Sequence, residues 1–392
     1  MVINSASELR IHDRLRDYPL VPDPPHLGSY SAQDVVFLLK DIGSDVQEQG
    51  NEERERAIQN GKHYSEMLPI EYEPTPEYLD LFHQSLQESG YRLALATAIV
   101  AETILSKRGH HVVLVSLARA GTPIGILIKR YLLQFYGLNV PHYSISIIRD
   151  KGIDKQALIY ILQRYPRSAI QFIDGWTGKG AIARELVKSV LDFEQEFGLP
   201  SGTIPRDLAV LADPGHCANI FGTRDDFLIP SACLNSTVSG LMSRTFYRED
   251  LIGPQDFHGA KFYRELLAKD LSNYFVDTVA GYYAAAQPAA RSLLKNNPDY
   301  GADQNPAWLG QKDAQKIQMK YGLSSINYVK PGVGETTRVL LRRIPWKVLV
   351  KDPANPDLKH IQILAADRGV PVEECSDLSY SCYGLIKTLG DM

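Results

Sequence analysis

The chain predicts an α/β fold: a parallel sheet covered by helices on both faces, followed by a second, smaller α/β unit. Two observations predict it. Between residues 111 and 213, apolar runs suited to buried strands alternate with segments of helical period, the pattern of strand-helix-strand crossovers. Residues of unusual chemistry, namely Arg119, Arg149, Lys151, Asp174, Lys179 and His216, fall at or just after the expected carboxyl ends of those strands. Ligands bind at that edge in open α/β sheets.

Residues 1–29 are polar and proline-rich and read as an arm. From Ser31, a residue type suited to an N-cap, AQDVVFLLKDI has helical spacing. The charged stretch 45–62 reads as a solvated helix or loop. HYSEMLPIEYEP, from residue 63, packs Tyr64 and Glu66 into a polar and aromatic cluster; such a loop could form a lid or acceptor pocket. Tyr78 to Arg108 is helix-like and leads into the buried strand His111–Leu117. The loop Ala118-Arg119-Ala120-Gly121-Thr122-Pro123 follows, then a helix stopped by Gly137. HYSISII is the next strand and ends at Arg149-Asp150-Lys151-Gly152. After the helix KQALIYILQRY comes the strand AIQFID, the loop Gly175-Trp176-Thr177-Gly178-Lys179-Gly180 and another helix. DLAVLAD closes the series at Asp213. His216 and Asn235 lie beyond it in turn-rich sequence that could build the acceptor side of a pocket. Residues 287–310, rich in Pro, Asn and Gly, read as a linker. Residues 311–392 alternate again: helix, KPGVGETTRVLLRRI, strand, helix, strand and a final helix.

Composition excludes some classes. The 46 acidic residues outnumber the 42 basic ones, so any nucleic-acid surface must be local. No apolar run approaches ~18 residues and no signal sequence is evident, which predicts a cytoplasmic protein with no membrane partner. Cys217, Cys233, Cys375 and Cys382 are too scattered for a disulfide framework or structural zinc. His216-Cys217 could be read as a hydrolase pair, with Cys233 as a second thiol. Adjacent side chains on an extended chain point apart, which counts against that reading.

The two glycine-bearing loops carry the chemistry. Gly178-Lys179 is followed by Gly180 and preceded by Ile173 where a Walker loop needs its first Gly, so that motif fails. Gly178-Lys179-Gly180-Ala181-Ile182-Ala183 fits a dinucleotide loop loosely, but the next strand-end acid, Asp213, lies well beyond the expected distance of about 20 residues. LVSLARAGTPIG and FIDGWTGKG, with one strand-helix unit between them, resemble the pyrophosphate and ribose-phosphate loops of type I phosphoribosyltransferases. With HYSEMLPIEYEP, residues 30–286 resemble the phosphoribosyltransferase-like domain of the StiP-type family, which is associated with bacterial tellurium-resistance-type stress response. In place of the adjacent acids of most type I members, this chain has Ile173-Asp174-Gly175, and Trp176 precedes Thr177.

The resemblance implies a Mg²⁺-dependent phosphoribosyltransferase that transfers from 5-phosphoribosyl-1-pyrophosphate to a base-like acceptor, making a ribonucleoside-type compound. It implies binding of that donor by Arg119, Ala120, Gly121, Thr122, Arg149, Asp174, Gly175, Thr177, Gly178, Lys179 and Gly180. Arg119, Asp174 and Lys151 would be catalytic, Asp174 would lie near Mg²⁺, and Tyr64, Glu66, His216 and Asn235 would border the acceptor. The rival reading is a regulator that senses a phosphoribosyl ligand without catalysis.

The smaller unit resembles the RNA-binding domain shared by Pelota and kink-turn-binding ribosomal proteins, an α-β-α sandwich. Gly332, Gly334, Glu335 and Arg338 carry the resemblance, and Arg342 adds a basic neighbour for RNA phosphates. Gly334 stands where kink-turn binders have Asn. A homodimer is compatible with this reading, but no residue specifies one.

Overall fold

The computed structural model describes residue 15 and residues 18–43, 45–71, 73–166 and 168–386. Six parallel strands form the main sheet: β1 (Val36–Leu38), β2 (Val112–Leu117), β3 (His142–Ile145), β4 (Ala169–Trp176), β5 (Leu208–Ala212) and β6 (Ile220–Thr223). Their spatial order is β1-β3-β2-β4-β5-β6. Val112–Leu117 is buried at every position, as expected of a strand covered on both faces.

Helix α1 spans Asn51–Gln59. One face of the sheet packs against α2 (Pro76–Arg108) and α3 (Gly121–Tyr136), together with α6 (Ser272–Ala280) and α7 (Tyr283–Asn296). The other packs against α4 (Lys155–Arg164) and α5 (Ala181–Glu196). Because β2 feeds α3 on one face and β4 feeds α5 on the other, the chain reverses direction between these neighbouring strands. Their carboxyl ends therefore flank the crevice where such sheets hold ligands.

Three elements differ from the sequence reading. The stretch after Ser31 forms the edge strand β1 and not a helix, because its apolar run is short enough to satisfy either period and pairs in register with β3. Helix α7 runs on through the start of the expected linker to Asn296, with Pro288 inside it. The expected last helix is strand at Cys382–Ile386; residues 387–392 lie outside the described residues.

The second unit contains α8 (Leu309–Lys320), β7 (Val329–Pro331), α9 (Val333–Arg342), β8 (Pro345–Val350), α10 (Lys359–Asp367), β9 (Val372–Glu374) and β10 (Cys382–Ile386). Its sheet runs β7-β10-β8-β9, with β10 antiparallel to both neighbours. Ala314 and Ile317 of α8 cover one face, while α9 and α10 cover the other. Val333 and Leu340 of α9 belong to the same apolar cluster as Phe227, Ile229 and Ala232 of the larger domain. The two units thus share a continuous core.

Candidate functional site

The loops after β2 and β4 meet. A Cβ on Gly121 would collide with the Ile173 carbonyl, and one on Gly175 would press on the Ala120 carbonyl at 3.2 Å. Only glycine lets the backbones approach so closely. From there the two loops part company.

Arg119 faces a cleft of about 900 Å³. Its Nη1 donates to the Met242 carbonyl at 3.2 Å and lies 3.8 Å from the Glu71 carboxylate. Asn235, Glu335 and Arg338 share this cleft with Arg54, Arg244, Lys330 and Arg343. Thr122 is turned away, its hydroxyl bonded to Ser144 in the core.

The Thr177–Gly180 loop is filled by its own chain. The Tyr380 hydroxyl lies 2.8 Å from the carbonyl oxygens of both Thr177 and Gly178. Lys179 Nζ donates to the Ile326 and Val329 carbonyls at 2.6 and 3.2 Å, and burial, then Lys330 and Arg149, push its ammonium down to about 7. Thr177 Oγ1 donates to Asp213. Gly180 lies against Trp308 and Cys217.

Asp174 accepts its hydrogen bond from Gly175 N–H at 2.7 Å, and burial pushes its carboxyl up to about 7. Among the described residues no group of three or more His, Cys, Asp or Glu could hold a metal. Asp174 is buried and already accepts the Gly175 N–H, and among the described residues no cluster of three acidic, imidazole or thiol groups surrounds it, so a resident Mg²⁺ would find a poor ligand set here.

The remaining expected residues scatter. Arg149 takes Tyr64 as a partner: its N–H donates to the Tyr64 hydroxyl at 2.9 Å and its guanidinium lies 5.4 Å from the ring. Lys151 and Glu66 line a separate depression with Tyr247 and Arg248. His216 borders another, beside Arg224 and Asp313.

The face of the smaller domain expected to meet RNA turns inward. Gly332 caps α9, and Val333 N–H donates to Asp226 at 3.0 Å, as does Ser381 N–H at 2.8 Å. Arg338 Nε donates to the Ala232 carbonyl at 3.0 Å, its Nη1 to Glu335 at 2.8 Å, and its guanidinium lies 5.5 Å from the Trp176 ring. A Cβ on Gly334 would come within 3.1 Å of Ala232, so the docked arrangement favours glycine over the Asn of kink-turn binders. Nothing is described of the Arg342 side chain.

The four thiols lie apart from the cleft lining. Cys217, on the loop after β5, is buried against the start of α5, with N–H donating to Asp213 at 2.8 Å and Sγ donating to the Gly215 carbonyl at 3.2 Å. Trp308 and Gly310 cross over it, held by hydrogen bonds to the His216 and Gly215 carbonyls at 2.9 and 3.0 Å. Burial, with the Asp213 carboxylate, pushes the thiol up to about 12. Cys233 is buried beside cleft-lining Leu234. Cys375 is half-buried, and Cys382 donates to Thr336 inside the smaller domain.

Fold and cleft define a class: a doubly wound α/β domain with a small three-layer domain docked on the ligand-binding edge of its sheet. A profile described as "Tellurite-like stress resistance cysteine protease StiP" matches residues 28–280, and one described as "PELOTA RNA binding domain" matches residues 308–388. The "Cysteine protease StiP" of Acinetobacter baylyi (strain ATCC 33305 / BD413 / ADP1) is 35% identical over 374 residues, covering 93% of this chain and 94% of that protein. The chain belongs to the StiP family. Among the described residues no helix is long and apolar enough to cross a membrane.

These matches correct the expected activity. Phosphoribosyl transfer, with 5-phosphoribosyl-1-pyrophosphate as donor and a nucleoside product, is overturned by the cysteine-protease descriptions of both the family profile and the relative. The geometry agrees: the loop expected to cradle the donor's 5-phosphate is occupied by Tyr380 and by carbonyls bonded to Lys179. A helix start binds an anion only where its N–H groups face open space. The sequence alone had no signal for that occupant, which arrives some two hundred residues downstream.

Proposed function

We propose that the chain is a cysteine-dependent peptidase whose nucleophile is Cys217, held latent in the closed arrangement, with RNA bound through the smaller domain. The position of Cys217 carries the choice of nucleophile. It sits on the loop after β5, at the carboxyl edge of the sheet, with Sγ packed against Gly180, the N-cap of the 16-residue helix α5. A helix start stabilises a thiolate once the group is hydrated. The neighbouring His216 has φ 51°, so the rule that adjacent side chains diverge on an extended chain does not apply to it. Burial holds its imidazole below the ordinary value, leaving it neutral and able to accept a proton at pH 7.

In the closed state burial and the Asp213 carboxylate hold the thiol protonated at pH 7. Lifting the Trp308–Gly310 strap would hydrate Sγ and let His216 take its proton. The thiolate would then bond to the scissile carbonyl carbon, and the C–N bond would break with the imidazolium proton leaving on the amine. Water would hydrolyse the thioester and restore the thiol. RNA binding rests on the Pelota-domain match together with cations on the α9 side of the smaller domain.

The test is peptide hydrolysis by full chain and by Trp308→Ala, each with and without Cys217→Ser. Activity that rises with Trp308→Ala and disappears with Cys217→Ser is expected. Loss with Cys233→Ser instead would move the nucleophile, and turnover indifferent to both serine changes would end the peptidase reading.

A further inference from the structure

The interdomain cleft is walled by both units. Arg54, Arg119 and Arg244 come from the larger domain, and Lys330, Arg338 and Arg343 from the smaller. Three carboxylates share the lining, and each has a partner. Glu71 accepts from Ser236 N–H and Oγ at 2.9 and 2.8 Å, Glu73 is paired with Lys269, and Glu335 with Arg338. Arg244 differs: among the described residues it has no carboxylate partner, and its guanidinium lies 4.7 Å from the Tyr64 ring. Burial and the nearby charges of Arg54, Arg119 and Arg343 hold it down to about 10. Six cations against three carboxylates leave the lining with an excess of positive charge, which favours an anionic ligand.

We infer that this cleft is a single-stranded RNA site built jointly by the two domains, in which Arg244 of the larger domain contacts a backbone phosphate. Tyr78 stands on the cleft wall among the cations, while the rings of Tyr64 and Trp176 lie behind the lining and hold the guanidiniums of Arg244 and Arg338 in place at 4.7 and 5.5 Å. Cations that track phosphates beside rings that stack bases are the chemistry of single-strand binding. Unstacked strands can enter a recess that a duplex cannot. The docked face of α9 opens onto this cleft and not onto bulk solvent, so RNA reaching Arg338 from the cleft also meets Arg244. The inference rests on the RNA-binding half of the proposed function and is independent of the peptidase half.

The experiment is fluorescence anisotropy of a labelled 12-nucleotide single-stranded RNA with the full chain, across a salt series. Arg244→Ala should weaken binding about tenfold and flatten the slope of log affinity against log salt by about 0.7, one phosphate's share for a single strand. Arg343→Glu, on an exposed position of the opposite wall, should weaken it similarly and guards against misfolding at Arg244. Photocrosslinking with 4-thiouridine RNA should label peptides from both domains. Unchanged affinity in both variants, or crosslinks confined to the smaller domain, would overturn the joint site while leaving RNA binding by the smaller domain intact. Failure of the intact chain to bind RNA at low salt would remove both. Equal affinity for UMP or inorganic pyrophosphate, or displacement by poly-glutamate at matched charge, would overturn the assignment to RNA in favour of a nucleotide or an acidic peptide.

Discussion

The loops after β2 and β4 look like equals in sequence, each a glycine-bearing turn between a buried strand and a helix, yet they meet different fates. Arg119 opens onto a large cleft, whereas Thr177–Gly180 is plugged by Tyr380, Trp308 and the bonds of Lys179. The lesson is that local sequence specifies a turn, while its occupant is decided by whatever the rest of the chain docks there. The two sides of the switch point consequently do different work. One side is available to a ligand, and the other anchors the second domain.

Emptying the plugged loop should have the largest effect. Tyr380→Ala removes a fully buried ring, and should cost about 3–5 kcal/mol in denaturant unfolding. Tyr380→Phe keeps the ring, removes the hydroxyl partner of two carbonyls, and should cost about 1–3 kcal/mol. A loss below 0.5 kcal/mol in both would mean that the domains barely dock there.

The next effect is electrostatic. Burial pushes Asp226 up to about 7, while its carboxylate accepts N–H groups from Val333 and Ser381. Because the folded value lies above the ordinary one, the folded state holds the proton more tightly, and the stabilisation is complete below about pH 4. It is lost as pH rises through 7, by roughly 1–3 kcal/mol. Lys179 behaves in the opposite sense: its ammonium is held down to about 7, so its contribution grows as pH rises from 7 towards 10. Asp226→Asn should flatten unfolding free energy between pH 4 and 7 and leave the alkaline limb in place. An unchanged acid limb would relocate the titrating group.

The smallest effect sharpens the contrast from outside. Lys151 belongs to the depression beside Glu66 and Tyr247 and does not line the cleft. Lys151→Ala should shift stability by less than about 0.5 kcal/mol and leave RNA affinity and its salt slope unchanged. A loss matching that of Arg244→Ala would show that the two recesses act as one.

Much of the scaffold was legible. Strands β2, β4 and β5 announce themselves by continuous apolar runs and β3 by the alternation of HYSISII, each ending at a charged or glycine-bearing turn, and the helices between them by amphipathic period. Edge strand β1 was not, because the five residues Val35–Leu39 fit either period. The antiparallel β10 hides for a related reason: a run as short as Cys382–Ile386 gains its identity from pairing between β7 and β8. At the site, Arg119 could be found because it stands at a strand end. Arg244, Arg54 and Lys330 could not, since no local motif surrounds them: the fold of the larger domain brings the first two to the cleft, and domain docking adds Lys330.

Alkylation of Cys217 by iodoacetamide, followed by mass spectrometry of the peptide that carries it, tests the docked arrangement most directly. Labelling of the intact chain should be far slower than that of a free thiol, and should accelerate at least tenfold in Trp308→Ala as Sγ becomes hydrated. Labelling of the intact chain at the rate of a free thiol, or no change on removing Trp308, would contradict that arrangement.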